Sequence, residues 1–192
     1  MKAGTIIRTF ESKDGREVTL RAPRWDDLDD MLEFINSLVE EGADIMIDTK
    51  QTRESEVEWL ARLLTRVEKD ETTVVAAEVD GRYVGQVEVT SRSGRSKHVG
   101  VLGIALKAGY REIGIGTELM REAETQARRL GLEIIHLSVF ATNERARHVY
   151  GKVGYRDVGV WPRAVKKDEV YIDEIMMSKE LSELGPEKTE SR

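Results

Sequence analysis

Apolar and polar positions alternate in two short stretches at the start of the chain. Thr5 to Phe10 and Glu17 to Arg21 each read as a strand, and Lys13-Asp14-Gly15-Arg16 between them reads as a turn. Pro23 closes the pair. From Asp26 or Asp27 the period lengthens. Leu28, Met31, Leu32, Ile35 and Leu38 recur at helical spacing, and Glu41-Gly42 ends that run. A loop reaches to about Thr52. A second helix follows over roughly Glu54 to Lys69, with Val57, Leu60, Leu64 and Val67 as its stripe. Thr73 to Val79, Tyr83 to Arg92 and His98 to Leu106 then read as a meander of strands, the first turn made by Asp80-Gly81.

Beyond Leu106 the pattern changes again. A segment from Tyr110 to Gly116 leads into a long helix that Gly131 stops near Leu130. Ile134 to Phe140 is an apolar run, expected to be covered on both faces. Asn143 starts a helix to about Lys152, and strands near Tyr155 to Val160 and Val170 to Ser178 complete the set. This order specifies an α/β (α+β) domain: a mixed central sheet of about six to seven strands with helices on both faces. A doubly wound parallel fold would alternate strand and helix from the start, and this chain does not. The domain is expected over residues 1–180, with a flexible polar tail over 181–192.

Composition narrows the chemistry. The 30 Lys and Arg against 36 Asp and Glu give a net charge of −6, which argues against general binding of nucleic acid or an anionic membrane. The absence of cysteine removes thiol nucleophiles, thiolate metal sites and disulfides. His98, His136 and His148 show no metal-ligand spacing, so no metal is expected. No leader-like apolar run follows Met1 to Thr5, and no stretch approaches the roughly 18 apolar residues of a membrane span. The expectation is a soluble cytoplasmic protein.

One segment carries a recognisable site. Arg111-Glu112-Ile113-Gly114-Ile115-Gly116 stands between a strand and a long helix. Glycines let backbone approach a ligand closely, and a helix start offers unpaired N–H groups and the positive end of a dipole. Together they suit a phosphate or pyrophosphate. The loop lacks the third glycine of G-x-G-x-x-G, because Leu119 stands there, and it lacks the ending of a P-loop. Glycines placed only for close helix–strand packing are the competing explanation.

Downstream residues decide between them. Asn143-x-x-Ala146-x-x-x-Tyr150 precedes Gly154-Tyr155, and Tyr171-x-Asp173 with Met176-Met177 follows. With Arg111-x-x-Gly114-x-Gly116, this set resembles the GNAT superfamily of acetyltransferases over roughly residues 98–179. The resemblance implies a cleft splayed between the two middle strands by a bulge, and acetyl-CoA as cosubstrate. It implies that Arg111, Glu112, Ile113, Gly114, Ile115, Gly116 and Thr117 wrap the pyrophosphate. Ile104, Ala105 and Leu106 would lend backbone groups to the acetyl and pantetheine portions, and Asn143 would contact the pantetheine arm, with Ala146 and Tyr150 beside it. Tyr150 would protonate the departing thiolate, a sensible role for a phenol with a pKa near 10. Glu112 beside a polyanion should point to solvent.

The base that takes the amine's proton is open. The position that most often carries it in this family aligns with Gly100, which has no side chain. Glu88 and His98 are candidates, and Asp173 is a third. Asp26, Asp27, Asp29, Asp30, Glu40, Glu41, Asp44 and Asp48 lie where the acceptor wall would form, and a negative field there would draw a cationic amine such as a polyamine, a lysine or a protein N-terminus. A small amino-acid-like acceptor, a silent acyl-CoA-binding module and a non-enzymatic scaffold remain as alternatives. Dimers through the late strands are common in the family, and a homodimer is the corresponding expectation.

Overall fold

Helical and alternating stretches fall where their spacing puts them. The computed structural model describes residues 1–181. Strands β1 (Ile6–Glu11) and β2 (Glu17–Arg21) lead to helices α1 (Leu28–Glu40) and α2 (Arg53–Glu68). Strands β3 (Thr72–Val79), β4 (Arg82–Ser91) and β5 (Val99–Leu106) follow, then α3 (Ile115–Arg129), β6 (Ile134–Phe140) and α4 (Glu144–Lys152). A hairpin of β7 (Arg156–Lys167) and β8 (Val170–Glu180) completes the described elements. All eight strands join one mixed sheet in the order β1-β2-β3-β4-β5-β6-β8-β7. The strand count exceeds the six to seven expected because the opening hairpin does not stand apart: β2 pairs with β3 from Val18↔Val79 to Arg21↔Ala76.

The sheet has an apolar core on each face. Val18, Leu20, Val75, Val87, Ile135 and Leu137 meet Ile115, Leu119, Met120 and Ala123 of α3 on one side. Val74, Ala76 and Tyr83 meet Leu28, Met31, Phe34 and Leu38 of α1 and Leu60 and Leu63 of α2 on the other. Strand β3 is therefore sandwiched, which is why seven of its eight residues are buried. Helix α1 packs on β4 and α2 on β3. Further along the sheet that same face lies open, and Val101, Gly103 and Ser138 are exposed on it.

Strand β7 runs well past the expected end at Val160. Its pairing with β8 breaks register between Trp161 and Val165, and Pro162 sits inside that break. Proline has no N–H to give, so it is tolerated here on an edge strand at an irregularity. Leu181 is buried and its N–H donates to the Glu133 carbonyl at 2.7 Å, so the domain extends one residue past the expected boundary. The rest of the expected tail lies outside the described residues. No described helix is long and apolar enough to cross a membrane.

Candidate functional site

A gap opens in the middle of the sheet. Strands β5 and β6 run parallel and pair at Val99↔Ile134, Gly100↔Ile135 and Val101↔His136, and there the ladder stops. Residues 102–106 and 137–140 part from one another. Each strand instead keeps its other neighbour: β5 stays on β4 as far as Leu106↔Gly85, and β6 stays on β8 as far as Phe140↔Glu174. The result is the splayed cleft expected of the fold, but without the expected bulge. The β4–β5 register is unbroken across Ile104, Ala105 and Leu106. Divergence of two regular sub-sheets makes the opening, and it leaves β5 peptide groups facing the cleft without strand partners.

The glycine loop stands at one side of this opening. Gly114 is the N-cap of α3 with φ 98°, a left-handed conformation that costs a side-chain-bearing residue about 1–2 kcal/mol. No side chain caps the helix, and Glu118 N–H reaches back to the Gly114 carbonyl at 3.2 Å. The N–H groups of Ile115, Gly116 and Thr117 therefore have no carbonyl one turn behind them. The Ile115 side chain is fully buried in the core, so only its backbone can serve a ligand. Gly116 lies close under β5, where an added Cβ would stand 3.4 Å from Leu106 Cδ1. Replacing Gly114 by alanine is expected to destabilise the protein by about 1–2 kcal/mol, measured by denaturant unfolding, and to weaken stabilisation by acetyl-CoA. An unchanged midpoint would show that the left-handed turn is not required.

The opening hairpin braces this loop. Lys13 N–H donates to the Ile113 carbonyl at 2.9 Å, and the Arg16 guanidinium donates to Gly109 O at 2.9 Å while lying 4.6 Å over the Tyr110 ring. Glu112 points to solvent, as anticipated: its side chain is 71 % exposed and 3.6 Å from Arg145. Arg111 behaves differently from the expectation. Its Nε donates to Leu106 O at 2.8 Å and its terminal nitrogen pairs with Glu41. The guanidinium ties the end of β5 to the end of α1 instead of standing free for phosphate.

Helix α4 packs on the same side of the sheet as α3. The Asn143 side chain accepts from Ala146 N–H at 3.0 Å and so caps the helix. Ala146 and Tyr150 pack against the α3-side core. Burial pushes the Tyr150 phenol up to about 12. No described side chain or carbonyl bonds its hydroxyl, and its ring lies 6.4 Å from that of Tyr155. The Tyr155 hydroxyl is buried without a partner, and burial raises it far above the usual phenol value.

Across the sheet, the open face takes the remaining candidates apart. Glu88 lies on it, opposite Gly103, and its Oε1 accepts from Thr90 at 2.8 Å and Thr72 at 3.2 Å, with Arg66 at 3.5 Å. His98 does not reach it. That residue sits in the turn before β5, at the end where β5 and β6 are still paired. Gly100 is no vacant base position either: an added Cβ would stand 2.6 Å from Val89 Cγ1 and 2.8 Å from Leu132 Cδ1, inside the core. Asp173 accepts from Arg163 N–H at 2.7 Å and holds the break in β7. Two residues that motif reading passed over, His136 and Ser138, do face the opening. Strand alternation was the available signal, since Leu137 and Val139 turn to the α3-side core.

The acidic field expected around the acceptor is largely neutralised. Asp27 pairs with Arg21, Asp29 with Arg53, Asp30 with Arg82, Glu40 with Lys50, Glu41 with Arg111 and Asp44 with Lys167. What remains over the open strands is Glu88 and the half-buried Glu174.

Comparison with known proteins agrees with this geometry. Residues 35–155 match the acetyltransferase (GNAT) family. An uncharacterized N-acetyltransferase of Methanocaldococcus jannaschii is 32 % identical over 111 residues, which cover 57 % of this chain and 68 % of that one. An N-alpha-acetyltransferase of Sulfurisphaera tokodaii is 26 % identical over 160 residues, covering 78 % and 87 %. The fold superposes with a TM-score of 0.76 on a GNAT superfamily phosphinothricin acetyltransferase from Sinorhizobium meliloti, solved in complex with acetyl-CoA; identity is 21 %, and 86 % and 89 % of the two chains are covered.

Proposed function

The chain belongs to the acetyltransferase (GNAT) family, and from that premise we propose that it moves the acetyl group of acetyl-CoA to the free α-amino group of a peptide by direct attack in a ternary complex. The observation that carries this reading is the parting of β5 and β6 beyond Val101↔His136. On one face of that gap lie the uncapped start of α3 and Tyr150. On the other lies an open strand surface that an acceptor can reach. A pantetheine arm threaded between the strands would meet the peptide group of Ile104, which alternation along β5 turns away from β4 and toward the gap, whereas that of Ala105 is turned to β4. Its phosphates would meet the N–H groups of Ile115, Gly116 and Thr117.

The chemistry then divides between the faces. The neutral amine attacks the thioester carbonyl, so a C–N bond forms and the C–S bond breaks. Tyr150 gives its proton to the departing thiolate. Its raised pKa keeps the phenol protonated at any ordinary assay pH, which a general acid requires. Glu88 and Glu174 favour a cationic acceptor in its resting, protonated form. The α-amine is favoured over other cationic amines by the similarity to the Sulfurisphaera tokodaii N-alpha-acetyltransferase.

A panel of peptides with free N-termini, the same peptides with blocked N-termini, spermidine, lysine and other amino acids, assayed by thiol release, tests the reading. Release with free-N-terminal peptides and none with blocked ones is the expected result. Thiol release confined to amino acids would replace the acceptor. No release with any amine, together with stabilisation by acetyl-CoA, would identify a silent binding module.

A further inference from the structure

His136 occupies the apex of the cleft. Its partner across the parallel ladder is Val101, and this is the last pair before β5 and β6 separate. Alternation along β6 turns Ile135, Leu137 and Val139 into the α3-side core, so His136 and Ser138 face the opposite, open surface. Val101 beside it is 37 % exposed, and His136 itself is half-buried, so part of the ring reaches the open surface. The thioester that reaches the head of the cleft from the α3 side would thus end beneath an imidazole that an acceptor meets first. Tyr150, on the other face, is separated from it by the plane of the sheet.

Building on the acetyl-transfer reading above, we propose that His136 is the catalytic residue that takes the proton from the attacking amine. Nitrogen attacks the thioester carbonyl and its proton passes to the unprotonated ring nitrogen of His136. The C–S bond breaks, and Tyr150 protonates the thiolate. The two protons move on opposite faces of the sheet, and the next solvent exchange resets both residues.

The surroundings suit this role. Burial, and then Arg92, lower the imidazole below its ordinary value of 6.5, with the Met177 carbonyl and Glu174 offsetting part of the effect. Glu88 from β4 shares the face, and Arg156 of β7 stands in the same cross-strand row through Ser178. The ring is therefore neutral at neutral pH and ready to accept a proton. Glu88 is worse placed, since its Oε1 already receives Thr72 and Thr90 and faces Arg66.

The test is the pH dependence of kcat/KM with a short peptide bearing a free N-terminus and no lysine. The α-amine, with a pKa of about 7.7–8.0, gives a slope of about one below neutrality. A second required deprotonation steepens that slope to about two at a pH under 6.5 in the wild-type enzyme. His136→Gln is expected to lose the steeper segment and about 10²-fold in kcat, with acetyl-CoA still stabilising the protein. A steeper segment retained in His136→Gln, or lost in Glu88→Gln instead, overturns the assignment. Should His136→Gln fail to bind acetyl-CoA, His136→Ala with added imidazole decides: recovered rate supports the role, and none overturns it. Wild-type protein that releases no thiol with any amine overturns the parent reading and this one together; turnover without a His136-dependent break overturns this one alone.

Discussion

Replacing Tyr150 by phenylalanine is expected to lower kcat by about 10²–10⁴-fold while leaving acetyl-CoA affinity nearly unchanged. The change removes one oxygen from a half-buried ring that packs against the α3-side core. No described partner loses a hydrogen bond, so folding should barely move. The effect falls on the leaving group, because thiolate expelled without a proton donor on that face must wait for solvent. The direction of the Tyr150 shift also sets a pH expectation. A phenol pushed up to about 12 stays protonated as the medium is made alkaline, so it imposes no basic limb on turnover within the usual assay range. Steady-state rates and calorimetric acetyl-CoA binding check both parts. A Tyr150→Phe enzyme that keeps full turnover would remove the residue from the mechanism.

The second large effect concerns the fold behind the site. Arg21 and Asp27 are among the most buried charges in the protein, with side chains 3 % and 4 % exposed. Two bonds join them, at 2.8 and 2.6 Å, and Arg21 Nε also donates to Glu78 at 2.8 Å. Asp27 Oδ2 further accepts from Arg24 N–H at 2.8 Å, which fixes the entry into α1. Asp27→Ala leaves a guanidinium in the interior with one of its two carboxylates gone. Such a loss costs about 3–5 kcal/mol. For a domain of this size that is a drop in Tm of about 6–20 °C. Converting both residues together, Arg21→Met with Asp27→Leu, is expected to recover part of the loss, because no guanidinium is then buried without its carboxylate, and Glu78 keeps Arg24 at 3.4 Å. Denaturant unfolding of the single and double variants is the check. A cost under about 1 kcal/mol for Asp27→Ala would mean that water reaches the guanidinium.

Local pattern made much of this structure legible. Helical stripes such as Leu28, Met31 and Leu38, and the Asp80-Gly81 turn, are properties of neighbouring residues and survive any tertiary arrangement. The glycine loop was legible for the same reason, since a left-handed N-cap demands glycine wherever the helix points. What could not be read were relations between segments distant in the chain. Arg111 looked like a phosphate cation until Glu41, seventy residues earlier, took its charge. The eight acids of the early helices looked like a field until six basic partners were seen beside them. His98 and His136 are indistinguishable as isolated histidines. Only the register of β6 against β5 puts one at the apex and leaves the other at the closed end. The bulge inferred by resemblance was absent because the cleft needs only divergence, which two independent ladders supply.

A crystal structure with coenzyme A bound is the most direct test of the central claim, that the opening between β5 and β6 is the cofactor's seat. The expected result places the pyrophosphate on the N–H groups of Ile115, Gly116 and Thr117, the pantetheine arm between the parted strands, and the thiol within hydrogen-bond reach of Tyr150 on one face with His136 on the other. A cofactor bound elsewhere, with the two strands still parted and empty, would contradict it.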